Sequence, residues 1–154
     1  MTVKKKIVIG LFIGLIAIQF IQPARNKSNS ILPTYIEKIV AVPANVSGIL
    51  KTSCDDCHSN NTQYPWYSSI QPGAWIMASH IKNGKAMLNF SQFGELSNRK
   101  QQSKLQGIID QLKDGEMPIY SYKLFHRNAD LTTAQKTILM NWAGSVKDSL
   151  SAIN

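Results

Sequence analysis

Cys54-Asp55-Asp56-Cys57-His58 gathers both cysteines and one of the three histidines of a 154-residue chain into consecutive positions. Thiols at this spacing serve several chemistries, and the surroundings separate them. A reactive dithiol of the thioredoxin kind wants a βαβ setting, and no stretch nearby alternates as a strand would. A zinc ion would need Cys54, Cys57 and two of His58, His80 and His126, yet Cys57 and His58 are adjacent and awkward on one tetrahedral ion. A plain disulfide suits an oxidising compartment but gives His58 no task.

Covalent attachment of haem uses all three residues, and C-x-x-C-H is its pattern. Thiols three residues apart at the end of a helix can each form a thioether to one vinyl group. The next residue then places an imidazole nitrogen on the iron. The expectation is one covalent haem c per chain, held through Cys54 and Cys57, with His58 as an axial ligand. Such links retain haem in a domain too small to enclose it.

The sequence on either side reads as helices. Val46, Ile49 and Leu50 fall at helical spacing behind Pro43, which predicts a helix over about residues 43–53. A second begins near Pro72 and stops at Asn83-Gly84, with Trp75, Ile76, Ser79 and His80 on one face. A third starts at Ser97 as N-cap, carries Leu105, Ile108, Ile109 and Leu112, and ends at Gly115. A fourth opens on Thr132 with Gln135 three residues on, a capping-box pair, and turns Ile138, Leu139, Trp142, Val146 and Leu150 to one side. The fold class is all-α, with long loops rich in Asn, Gly, Pro and Tyr that need something to organise them.

At the N-terminus, Lys4, Lys5 and Lys6 precede an apolar run over residues 7–21 whose one polar interruption is Gln19. A basic start followed by an apolar core is an export signal. At about 1.5 Å per residue the run reaches about 22 Å, short of a bilayer core of about 30 Å, and snorkelling lysines make up part of the gap. No small-x-small pair follows closely, so an uncleaved membrane-anchor helix is favoured over a cleaved signal. Three lysines before the run against Arg25 and Lys27 after it favour N-terminus in and domain out. The expected organisation is a signal/anchor segment over residues 1–25, a linker over 26–33 and a haem-binding domain over 34–154. That domain is expected in the periplasm or extracytoplasmic space, where haem is attached to c-type proteins.

Composition agrees. Hydrophobic residues make up 44% and charged residues 17%, which excludes a disordered tail and a polytopic membrane protein. Two cysteines exclude a disulfide-stapled mini-domain. The net charge of +8 owes much to Lys4, Lys5, Lys6, Arg25 and Lys27, with no acid among the first 30 residues. Nucleic acid is therefore not expected as a partner.

Several further blocks lie in order along the chain: Ser59-Asn60 behind the motif, Tyr64-Pro65-Trp66-Tyr67, Pro72-Gly73-Ala74-Trp75, His80-Ile81, Leu88-Asn89-Phe90-Ser91, Gly115-Glu116-Met117-Pro118, and the stretch from His126 to Leu131. On these the sequence resembles the c-type haem-binding domain family of small, often membrane-anchored bacterial cytochromes, over about residues 43–143. Tyr-Pro-Trp-Tyr and Leu-Asn-Phe-Ser narrow the match, since C-x-x-C-H and Met-Pro occur in many cytochromes c. The resemblance implies an all-α cytochrome c-like fold, covalent haem and electron transfer. It names no redox partner.

The second axial ligand is a choice. Met117 stands between Gly115, which ends a helix, and Pro118, which stiffens the backbone beyond it. A Met-Pro loop facing the haem edge is what the resemblance implies, and Met/His ligation raises the potential. His80 is the rival, and bis-His ligation would lower the potential. His126, beside Arg127 and Asn128, reads as a loop or capping residue. An open sixth position would instead admit gas or peroxide chemistry. Tyr64, Trp66, Tyr67 and Trp75 are expected to line the haem, and Asp55 and Asp56 to lie in solvent. Lys82, Lys85, Lys100 and Lys104 form either a docking face for an acidic partner or a merely solvated one.

The function expected is that of a single-electron carrier at the outer face of the cytoplasmic membrane, not an enzyme, since no acid/base pair or substrate pocket is evident. The alternatives are a haem enzyme or gas sensor with an open iron site, and a zinc-binding structural module.

Overall fold

The computed structural model describes residues 1–28 and 30–152. Asn29, in the expected linker, and Ile153 and Asn154, at the end of the expected domain, lie outside the described residues. In chain order the helices are α1 (Val3–Ile18), α2 (Ile36–Ile39), α3 (Ala44–Ser53), α4 (Asp55–His58), α5 (Gly73–Met87), α6 (Asn98–Lys113), α7 (Tyr120–Phe125) and α8 (Thr133–Ser151). Short 3-10 turns stand at Trp66–Ser69, Phe90–Glu95 and Arg127–Ala129, and no strand occurs among the described residues.

Three helices form where their apolar spacing places them. In α3, Val46, Ile49 and Leu50 are buried. In α6, Leu105 and Leu112 are buried and Ile108 and Ile109 pack at the margin of the core. The helix stops because Gly115 takes φ +75° and Glu116 N–H donates to Gln111 O at 3.0 Å. In α8, Leu139 and Trp142 face inward. Its capping box is complete, with Gln135 N–H donating to Thr132 Oγ1 at 3.2 Å and Thr132 N–H to Gln135 Oε1 at 2.9 Å. Helices α6 and α8 pack together, and Phe90 and Phe93 of the 3-10 turn fill the core beside α3.

Helix α5 departs from the expectation twice. It runs through Gly84 to Met87, and its buried residues are Ala74 and Ile81. The face carrying Trp75, Ile76 and Ser79 is exposed. Gly84 is not a stop signal. A Cβ built there would lie 2.7 Å from the carbonyl oxygen of Cys57, so the glycine is what lets α5 approach α4.

Among the described residues no helix is long and apolar enough to cross a membrane. The expected membrane-anchor helix is therefore shorter than a full span. Helix α1 has 16 residues, its first turn carries the lysines, and it ends before Gln19. None of its residues is buried.

The chain after α1 is fastened to the domain. Gln71 N–H donates to Gln19 Oε1 at 2.9 Å, and Trp75 Nε1 donates to Ile21 O at 3.0 Å. Arg25 lies over the Tyr64 ring at 4.5 Å. Asn26, the first residue of the expected linker, donates from Nδ2 to Ser59 O at 2.8 Å and Thr62 Oγ1 at 2.9 Å, and accepts from Lys85 Nζ at 2.6 Å. Asn26→Ala removes these bonds and leaves Thr62 and Lys85 to find other partners. A loss of about 1–3 kcal/mol in denaturant unfolding is expected. An unchanged midpoint would show that the Asn26 side chain adds no stability to this strap between α1 and the domain.

Candidate cofactor site

Helix α3 ends at Ser53, where Cys54 breaks the spiral at φ −128°, ψ −42°. A single turn restarts at once. Cys57 N–H and His58 N–H both donate to Cys54 O, at 3.2 and 3.0 Å. The two thiols and the imidazole thus share one turn of backbone.

That turn stands where two cavities meet. The larger, about 570 Å³, is lined by Cys54 and His58 and walled by apolar side chains, among them Leu50, Phe90, Leu112 and Leu139. Its volume lies within the roughly 300–1,000 Å³ usual for cofactor sites. The smaller, about 170 Å³, adds Cys57, His80, Gly84 and Tyr122. Both are lined by Ser53, Cys54, His58, Met87, Met117 and Pro118.

Two backbone partners orient the His58 ring, Leu88 and Gly84. Its Nδ1 lies 2.9 Å from Leu88 O. A carbonyl only accepts, so Nδ1 carries the proton and Nε2 is left as a bare nitrogen donor, the arrangement that metal-binding histidines use. Burial also holds the ring's pKa below the ordinary value, which keeps the imidazole neutral.

Burial pushes the Cys54 thiol up to about 12, with the neighbouring Asp55 adding to the effect, and the Cys57 thiol up to about 11, with Asp56 adding there. Reactive dithiols have lowered values, so this environment disfavours a thioredoxin-like role. Among the described residues no three His, Cys, Asp or Glu side chains gather where they could hold a metal ion. The zinc reading lacks its ligand set.

The acids between the cysteines do not both lie in solvent. Asp56 is buried, accepting from Tyr122 Oη at 2.7 Å and Gln63 N–H at 2.8 Å. Its carbonyl accepts from the Thr62 hydroxyl at 2.6 Å. Asp55 is half-buried, and its Oδ2 accepts from Tyr35 Oη at 3.0 Å.

Met117 reaches both cavities, His80 only the smaller. His126 lines neither and instead stacks on Tyr122 with ring centroids 4.2 Å apart. The four aromatics expected around the haem line neither cavity. Trp66 is 81% exposed, Trp75 is exposed, Tyr64 accepts from Asn26 N–H at 2.7 Å, and Tyr67 packs on Phe125. Aliphatic residues and Phe90 take their place. Lys104 lines the large cavity while Lys85 is bonded to Asn26, so these two of the four expected docking lysines have different tasks.

Ser53, Met87, the Leu88 carbonyl and Tyr122 are site groups that motif reading missed. Leu88 acts through its backbone, which no side-chain pattern reveals. Ser53 Oγ is buried without a hydrogen-bond partner, a polar atom left over on the wall of both cavities. The thiol pair, the bare imidazole nitrogen, the nearby thioether and the apolar wall together fit haem.

A family model described as a haem-binding domain matches residues 13–145. No curated protein and no solved structure matches the chain. The matched span begins inside α1 and takes in the strap, the motif turn and most of α8.

Gly84→Ala forces a methyl group against the Cys57 backbone. Overpacking of this kind costs about 1–3 kcal/mol, and the melting temperature of the variant is expected to fall. Equal melting temperatures would show that α5 and α4 can separate freely.

Proposed function

The chain belongs to the haem-binding domain family, and we propose that it is a c-type cytochrome, carrying one covalent haem and passing single electrons outside the cytoplasmic membrane. The observation that supports this best is the junction of the two cavities at Cys54, His58 and Met117, with the His58 proton held by Leu88 O. Haem bound there supplies a one-electron iron couple. Everything else is done by the chain.

Cys54 and Cys57 would each hold the ring through a thioether to one vinyl group. His58 would offer Nε2 to the iron, its tautomer fixed by Leu88 O. Met117 would offer its thioether to the iron from a loop bounded by Gly115 and the buried Pro118. The apolar wall excludes water, which favours the less charged state of the couple and raises the potential. Such a carrier resembles cytochromes c in its helical fold and needs no acid/base machinery. His80 is the second reading for the sixth ligand, because it shares the smaller cavity with Cys57, His58 and Met117.

The location rests on the N-terminal segment. Its lysines followed by an apolar helix with no buried residue suit an export address that stays embedded in the membrane. The strap supports retention, since cleavage near residues 25–31 would separate α1 and the Gln19 and Ile21 contacts from the domain.

Two experiments test the assignment. After acid-acetone extraction the wild-type chain is expected to keep its haem, and the Cys54→Ala, Cys57→Ala double variant to lose it. Retention by the double variant contradicts covalent attachment. Met117→Ala is expected to abolish the weak thioether-to-ferric-haem charge-transfer band and lower the reduction potential, with His80→Ala leaving both in place. If His80→Ala opens the sixth site and Met117→Ala changes nothing, the iron is bis-His.

A further inference from the structure

Helix α1 meets the domain without slack. Within four residues of its end, Gln19 accepts from Gln71 N–H at 2.9 Å, and Ile21 O accepts from both Gln71 Nε2 at 2.7 Å and Trp75 Nε1 at 3.0 Å. Gln22 Nε2 donates to Ser69 O at 3.0 Å. A free tether would need none of these bonds.

The surface they join is apolar and bare. Phe20 is 84% exposed, Ile21 61%, Ile70 49% and Trp75 38%. Exposed apolar residues scattered singly are ordinary. These are not scattered: the bonds of Ile21 and of Gln71, the neighbour of Ile70, draw them round the exit of α1. They continue an apolar helix that itself buries nothing.

We propose that Phe20, Ile21, Ile70 and Trp75 form a seat by which the domain rests in the headgroup–acyl boundary of a phospholipid bilayer. This rests on the membrane location proposed above. The reason is mechanical. Helix α1 gains from burying residues 7–18 in hydrocarbon. Its exit is rigid, so embedding it brings the shelf at its end down to the lipid surface. Placing apolar side chains there lets that approach add to burial instead of dehydrating polar groups. Trp75 suits the boundary, with an apolar ring and an indole N–H already satisfied by Ile21 O. The exposed Lys27 follows within a few residues, where a cation can snorkel to headgroups. The seat fixes which side of the domain faces the membrane, and hence how the motif turn is presented to a partner.

The test uses the full-length holoprotein in phosphatidylcholine vesicles whose acyl chains carry a photoactivatable diazirine. Vesicle flotation reports whether the chain is held at the membrane. Illumination and peptide mass spectrometry then report which residues touch lipid. The expected result is flotation, with lipid adducts on α1 and on Phe20, Ile21, Ile70 and Trp75. Ile70→Glu is expected to lose the adducts at residues 70–75 and still float. Flotation with adducts confined to α1 overturns the seat and leaves the membrane location standing. Cross-links between copies at Ile70 without lipid adducts also overturn it, in favour of a self-association face. Failure to float overturns the membrane location and the seat together.

Discussion

Helix α5 lies against the Cys57 carbonyl because residue 84 has no side chain, and the position of the His58 ring depends on that approach. A methyl group at residue 84 would hold the two backbones apart. The separation would carry away Leu88, just past the end of α5, whose carbonyl takes the Nδ1 proton. The bare Nε2 then has no defined direction. A bond of this kind is worth about 0.5–1.5 kcal/mol to stability, yet its larger effect is to select one tautomer and one ring orientation.

The residues between and beyond the cysteines complete the frame. Asp56 fixes the chain after the motif through Gln63 N–H and draws in α7 through Tyr122. Thr62 joins that carboxylate's backbone to Asn26, and Asn26 joins it to α5 through Lys85. One connected set of polar contacts therefore runs from the strap that follows α1 to the motif turn. Long loops with little regular structure are held by side-chain bonds where backbone ladders are absent. The aliphatic core beneath, from α3, α6 and α8, is left free to form the wall of the large cavity.

Much of this was legible in the sequence. Helices α3, α6 and α8 carry clean apolar stripes, and the capping box at Thr132 and Gln135 forms as the sequence predicts, whereas Ser97 stands at the start of α6 without a side-chain cap bond. The motif turn was legible because it concentrates rare residues. Helix α5 misleads because its bulky Trp75 and Ile76 stand on the exposed face. Close packing chose the small residues, Ala74 and Gly84, which weigh little in a hydrophobic pattern. The aromatic cluster after the motif misleads for a related reason: it is close to the motif in sequence, while Trp66 and Trp75 face outward. The strap left no periodic trace, since polar side chains meeting backbone groups follow no repeat. Asp56 looked like a solvated acid, and only the fold brings Tyr122 to it.

Membership of the haem-binding domain family and the cavity at the motif turn both point to haem. Covalent attachment is the part of the proposal that most needs a test, because thioether links would let so small a helical domain hold the ring where the two cavities meet. Intact mass spectrometry of the full-length protein, isolated from cells that mature c-type cytochromes and then unfolded in acid, tests it most directly. The account predicts one species heavier than the bare chain by the mass of one haem, with the added mass mapping to the peptide containing Cys54, Cys57 and His58. A chain of bare mass, with its haem released on unfolding, would contradict it.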